Sequence, residues 1–199
     1  MTMRSRLAAC LSLLTLAFLA GCASAPDAGT SLFVLDDGPA PAAGTPIDNA
    51  PTLAVGQVAV ADYLNQGGIV FQTAPYKVVI ANNNRWAAPL AGQLTDTLYN
   101  VISQRLHNAN VQRGKARGDS AYELITRVEK FYGSEDGQAH IAGVWMLRND
   151  QGALVRRENF QRDVDLDQDG YPALVDKLSQ GWLEVAAGMA PPLSASLVR

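Results

Sequence analysis

Few side chains in this 199-residue sequence stand at spacings that chemistry uses, and the sharpest set is Asp165-Leu166-Asp167-Gln168-Asp169-Gly170. Aspartates at alternate positions followed by glycine open an EF-hand loop, in which carboxylates 1, 3 and 5 converge on calcium. The remainder of the loop does not follow that pattern. Position 12 is Asp176, one carbon short of the glutamate that closes the site, and position 8 is Pro172. A strand-like run from Leu154 to Val164 stands where a helix should precede. Calcium at Asp165, Asp167 and Asp169 is therefore the weaker alternative; the preferred reading ends a strand there and leaves the acids beside a helix N-terminus, where the dipole favours negative charge. The two histidines, His107 and His140, lack the spacing of a metal pair. Ser134, Asp136 and His140 have the residue types of a nucleophilic triad, but they fall in one hairpin, a poor geometry for a buried triad. No G-x-S-x-G elbow, phosphate loop or G-x-G-x-x-G is present, so no catalytic residue and no cofactor are assigned and the chain reads as non-enzymatic.

The positions with a chemical fate lie at the N-terminus. Arg4 and Arg6 precede an uncharged stretch, Leu7 to Ala20, too short to span a bilayer and fitting a secretory signal. Leu19-Ala20-Gly21-Cys22 then resembles a bacterial lipobox, which implies cleavage after Gly21 and diacylglyceryl modification of the Cys22 thiol. Cys10 would leave with the signal, so no free thiol remains for disulfide, zinc or nucleophilic chemistry. More than one acyl chain at Cys22 would give stable attachment at about 0.8 kcal/mol per buried CH2. Ala23, rather than the aspartate that retains lipoproteins in the inner membrane of enteric bacteria, points to the periplasmic face of the outer membrane.

Charge narrows the partners. Lys plus Arg number 16 against 19 Asp plus Glu, a net charge of −3. Loss of Arg4 and Arg6 leaves 14 basic groups and a mature charge near −5. Nucleic acid is excluded, because no basic patch is available to displace counterions from a phosphate backbone. Arg113, Lys115 and Arg117 make one small basic loop, read as solvated rather than lipid-binding. Only about ten residues separate Cys22 from the apolar run at Leu32, a reach of roughly 30 Å, so the body stays close to its membrane.

The elements follow from periodicity. Ser31 to Leu35 is a short apolar run, and Asp36 to Pro51 is too rich in Pro, Gly and Ala for a regular element. Leu53 to Val60, Ile69 to Thr73 and Tyr76 to Ile80 read as strands, followed by a polar turn at Asn82-Asn83-Asn84. Leu90, Leu94, Leu98, Val101, Ile102 and Leu106 predict an amphipathic helix from about Pro89 to Ala109, with Arg85-Trp86 packing its start against the sheet. Tyr122 to Tyr132, Ala139 to Arg148 and Leu154 to Val164, joined by short turns, predict an antiparallel meander. A second helix runs from about Tyr171 to Met189 and is expected to stop at Pro191-Pro192. The class is α+β, a single antiparallel or mixed β-sheet packed by two long amphipathic helices. The organisation is a signal at 1–21, a lipidated tether at 22–31, a domain at 32–190 and a tail at 191–199.

Tyr63 and Leu64 stand beside the flexible Asn65-Gln66-Gly67-Gly68, suiting either a partner contact or burial. Taken in order, the lipobox, Val58-Ala59-Val60-Ala61-Asp62-Tyr63-Leu64, Arg85-Trp86-Ala87 with Pro89-Leu90, Tyr122-Glu123-Leu124, Val144-Trp145-Met146-Leu147 and Tyr171 with Leu174-Val175 resemble the PqiC/YmbA family of ABC-type transport auxiliary lipoproteins. The resemblance spans about Leu32 to Ala190. Ala61 and Asn65-Gln66-Gly67 depart from the proline and arginine usual in that family. What the resemblance implies is an outer-membrane lipoprotein without catalysis, which docks a periplasmic MCE-domain tunnel protein for phospholipid and works with an inner-membrane component. It further implies a ring-like homo-oligomer, with Tyr63 and Leu64 facing the partner. The alternatives are a structural or stress-related envelope lipoprotein without a transport role and, more distantly, a periplasmic lipid-modifying enzyme.

Overall fold

The computed structural model describes residues 29–42, 45–115 and 121–197. Gly21, Cys22 and Arg117 lie outside the described residues. Among the described residues nine strands and two α-helices follow in chain order. They are β1 (Ser31–Phe33), β2 (Thr52–Val55), β3 (Ala59–Val60), β4 (Gly68–Ala74), β5 (Lys77–Trp86), α1 (Leu90–Arg105), β6 (Asn110–Arg113), β7 (Ala121–Ser134), β8 (Gln138–Arg148), β9 (Leu154–Asp165) and α2 (Tyr171–Ser196), with a 3-10 turn at Asp62–Leu64.

The long strand β7 organises one mixed sheet. Leu124, Thr126 and Val128 alternate onto its core face, and a register shift between Val128 and Lys130 lets Phe131 follow them there. One edge of β7 pairs with β8 in antiparallel fashion, and β8 pairs likewise with β9, the expected meander. Its other edge is taken in succession by β2, β3 and β4, all parallel. The β4–β5 hairpin, β1 beside β5 and β6 beside β2 complete the sheet. The class is α+β as expected, with a mixed sheet.

Both helices use their apolar stripes to cover the sheet. Leu94, Leu98 and Ile102 of α1 and Leu178, Trp182, Ala186 and Leu193 of α2 are fully buried. The helices are joined where Trp182 Nε1 donates to the Leu94 carbonyl at 3.1 Å, while its ring meets Phe160 of β9 edge-on at 5.9 Å. Gly181 lets α2 lie against β8: a β-carbon there would run into the Ile141 side chain.

Four expectations change. Leu53 to Val60 is not one strand, because the chain leaves β2 at Gly56, whose N–H bonds the Leu124 carbonyl, and rejoins β7 as β3. The Asn82-Asn83-Asn84 turn is part of β5, bulging where the β4–β5 register shifts between Ile80 and Arg85 and paired with β1 from Asn84 onward. The first helix stops at Arg105 and not at about Ala109, and Asn110–Arg113, of which the sequence pattern assigns only Arg113 and that to a loop, adds a parallel strand to β2. Finally, α2 passes through Pro191 and Pro192 to Ser196. Two lost N–H donors are outweighed there by burial of Leu193 and by a clamp in which Asn108 Nδ2 donates to the Ser194 carbonyl at 3.0 Å. Residues 191–196 are thus part of the body and not a tail.

Candidate functional site

The loop chosen from sequence is built by the chain's return to β7. Ala61 N–H donates to the Val128 carbonyl at 3.0 Å, and the following turn sends Tyr63 and Leu64 in different directions. Leu64, 1% exposed, is a core residue, so of the pair only Tyr63 reaches the surface. The Tyr63 hydroxyl donates to the Glu129 carbonyl at 2.6 Å, its ring tilts onto Tyr132 at 6.4 Å, and burial pushes its pKa up to about 12. Asn65, Gln66 and Gly67 are exposed. They line a cavity of about 280 Å³ with Leu64, Trp86 and Pro89. Trp86 ends β5 and packs on Phe131 at 6.1 Å, fixing the start of α1 against the sheet.

The Ser134, Asp136 and His140 set does assemble, together with a residue that sequence reasoning missed. His140 Nδ1 lies 2.6 Å from Asp163 Oδ1, and its Nε2 lies 2.6 Å from Ser134 Oγ. Asp163 arrives because the β8–β9 register places it directly opposite His140. The Ser134 hydroxyl also lies against Asp136 Oδ1, so that carboxylate competes with Nε2 for the hydroxyl proton, and the donor and acceptor roles of Oγ and Nε2 follow the imidazole tautomer. The Ser134 hydrogen bond, with help from His140, holds the Asp136 carboxyl below its ordinary range. The His140 and Gln161 hydrogen bonds do the same for Asp163. Tyr132 closes over the imidazole at 5.6 Å, and burial raises its phenol pKa. The cluster clasps the β7–β8 turn to β9.

The acidic stretch is drawn apart. Asp165 accepts from Gln138 Nε2 at 2.8 Å, and Asp167 pairs with Lys177 Nζ at 2.5 Å, so a lysine supplies the cation. Asp169 precedes Gly170, the residue that opens α2. Among the described residues no three His, Cys, Asp or Glu side chains converge as a metal site. His107 is exposed at the end of α1. Arg113, at the end of β6, stacks on Tyr99 at 4.5 Å and pairs with Asp96, which leaves it committed to the neighbouring helix α1. Among the described residues no helix is long and apolar enough to cross a membrane.

A mixed sheet covered on one face by two helices defines a small α+β domain. Residues 33–190 match the family described as ABC-type transport auxiliary lipoprotein component, and the chain belongs to that family. It is 40% identical over 136 residues to the intermembrane transport lipoprotein PqiC of Escherichia coli K12, covering 68% of this chain and 71% of the relative. The Shigella flexneri protein of the same name matches equally. A crystal structure of an uncharacterized protein, 36% identical, superposes with a TM-score of 0.71 over 83% of this chain and 99% of the other. A Xanthomonas campestris protein, 16% identical, shares the fold with a TM-score of 0.68 over 83% of this chain and 96% of its own.

Proposed function

We propose that this auxiliary lipoprotein is anchored through Cys22 at the periplasmic face of the outer membrane, where it docks the end of a periplasmic MCE-domain tunnel without itself catalysing a reaction. The tunnel would carry phospholipid from an inner-membrane component, and several copies of the lipoprotein would surround its end as a ring. The observation that carries this reading is the 40% identity to a relative named as an intermembrane transport lipoprotein. The sequence adds the lipobox and the short tether. The docking contact is assigned to Tyr63 with the exposed Asn65 and Gln66, Leu64 supporting the loop from the core.

The test places a photo-crosslinking amino acid at Gln66 and, as a control, at Asp150 in the β8–β9 turn, in living cells. Capture of an MCE-domain protein from position 66 and not from 150 is expected, with loss of capture in Tyr63→Ala. Equal capture from both positions, or none from 66, overturns the assigned docking loop.

A further inference from the structure

The β4–β5 hairpin has a tip that folding alone does not account for. Ala74 pairs with Lys77, so Pro75 and Tyr76 form a two-residue turn. Tyr76 takes φ 65°, the left-handed region where glycine or asparagine is usual in the third position of such a turn. A bulky residue held there is strained, and strain kept at a surface position points to use rather than stability. The side chain gains nothing from burial, being 104% exposed. Behind it Val78, Val79 and Ile80 are 39%, 41% and 41% exposed, which gives this hairpin four of the nine exposed large hydrophobic side chains among the described residues. Alternation along the strand puts Val79 on the face opposite Val78 and Ile80, so apolar surface is open on both sides.

The direction of β1 and the length of chain that precedes it say what meets this tip. Strand β1 is parallel to β5, with Ser31 opposite Asn84 and Phe33 opposite Trp86. The Ser31 end of β1 therefore faces the Lys77 end of β5. Seven residues from Asn84 to Lys77 cover roughly 23 Å, while the nine from Cys22 to Ser31 can reach roughly 30 Å. The acylated end of the tether and the hairpin tip can thus lie at one level.

We propose that the β4–β5 hairpin tip, Pro75-Tyr76-Lys77 backed by Val78, is a second membrane contact that rests on the bilayer surface beside the lipid anchor and sets the domain's orientation on it. This rests on the anchoring read above. Tyrosine suits the boundary between headgroups and acyl chains, with its ring in the apolar layer and its hydroxyl in water, and Lys77 reaches the phosphates. Among the described residues the Lys77–Asn83 edge has no strand partner, since β1 begins opposite Asn84, so its N–H and C=O groups hold the hairpin at headgroup depth and prevent deep insertion. Glu135 and Asp136 share the concave surface of Tyr76 and Lys130. Contact is therefore driven by apolar area and not by anionic lipid.

The test uses the full lipidated chain in vesicles of zwitterionic phosphatidylcholine and phosphatidylethanolamine. An environment-sensitive NBD dye is attached to Tyr76→Cys, Val78→Cys or, as the control at the far end of the sheet, Asp150→Cys. Quenching by nitroxide lipids at least twofold stronger at 76 and 78 than at 150, unchanged when anionic lipid is added, is expected. Tyr76→Gly should raise the unfolding temperature while loosening the domain's orientation, opposite effects that a merely structural tyrosine would not give. Dye at 76 and 78 as open to water as at 150, on vesicles that carry the protein, overturns the hairpin contact and leaves the anchor standing. Dye shielded without lipid quenching places a second chain on the hairpin and also overturns it. Failure of the Cys22 protein to float with vesicles overturns the anchor, and the hairpin contact with it.

Discussion

Replacing Trp182 with alanine should cost about 4 kcal/mol of folding stability, because this one side chain joins both helices to the sheet. It is fully buried, its Nε1–H reaches the Leu94 carbonyl of α1 at 3.1 Å, and its ring meets Phe160 of β9 at 5.9 Å. Truncation of a buried tryptophan costs about 3–5 kcal/mol from lost transfer energy and the cavity left behind. The upper half of that range applies, since Gly181 offers no side chain to fill the space and the hydrogen bond contributes about 1 kcal/mol. Trp182→Phe keeps a ring for Phe160 and should lose only about 1–2 kcal/mol. The assay is urea unfolding followed by far-UV circular dichroism, with the slope held constant across variants. A loss below about 1.5 kcal/mol for Trp182→Ala, or equal losses for the two variants, would refute the reasoning that Trp182 is the joint between the layers.

Two further outcomes follow from the same geometry. Asp136 and Asp163 have depressed pKa values, so their contribution is complete above the ordinary carboxylate range and vanishes as pH falls through the lowered folded values. Wild type should exceed Asp163→Asn in stability at pH 6, by less than about 1 kcal/mol because both acids are partly exposed, and the two should converge below pH 3 in urea titrations. Pro191→Ala with Pro192→Ala should raise the melting temperature, by about 2–4 °C for each kcal/mol recovered, since the helix already passes through both positions; calorimetry that shows a fall would contradict this.

The sequence carried the fold wherever periodicity ran long enough to be read. Leucines 90, 94 and 98 marked α1, and Glu135-Asp136-Gly137 marked the turn from β7 to β8. What escaped was decided between elements. Asn110–Arg113 has one apolar residue in four and becomes a strand through pairing with β2, and three asparagines carry β5 through a bulge between its Ile80 and Arg85 pairs with β4. Pro191 and Pro192 would end a helix in isolation, yet Leu193 is drawn into the core beyond them. In the candidate sites, Ser134 and His140 were visible as residue types, but Asp163 joined them through a β8–β9 register that the sequence pattern left open. Leu64 and Tyr63 are adjacent in sequence and divided by a 3-10 turn, one into the core and one onto the surface. The lipobox at Cys22 is the reverse case, a covalent signal legible in sequence and outside the described residues.

The most direct test of the account is crosslinking of the lipidated, tagged protein in living cells, followed by purification and mass spectrometry of what is attached. The account predicts an MCE-domain protein among the crosslinked partners, together with copies of the chain itself, all in the outer-membrane fraction. Recovery of self-crosslinks or peptidoglycan-associated proteins alone would contradict docking and favour a structural envelope lipoprotein.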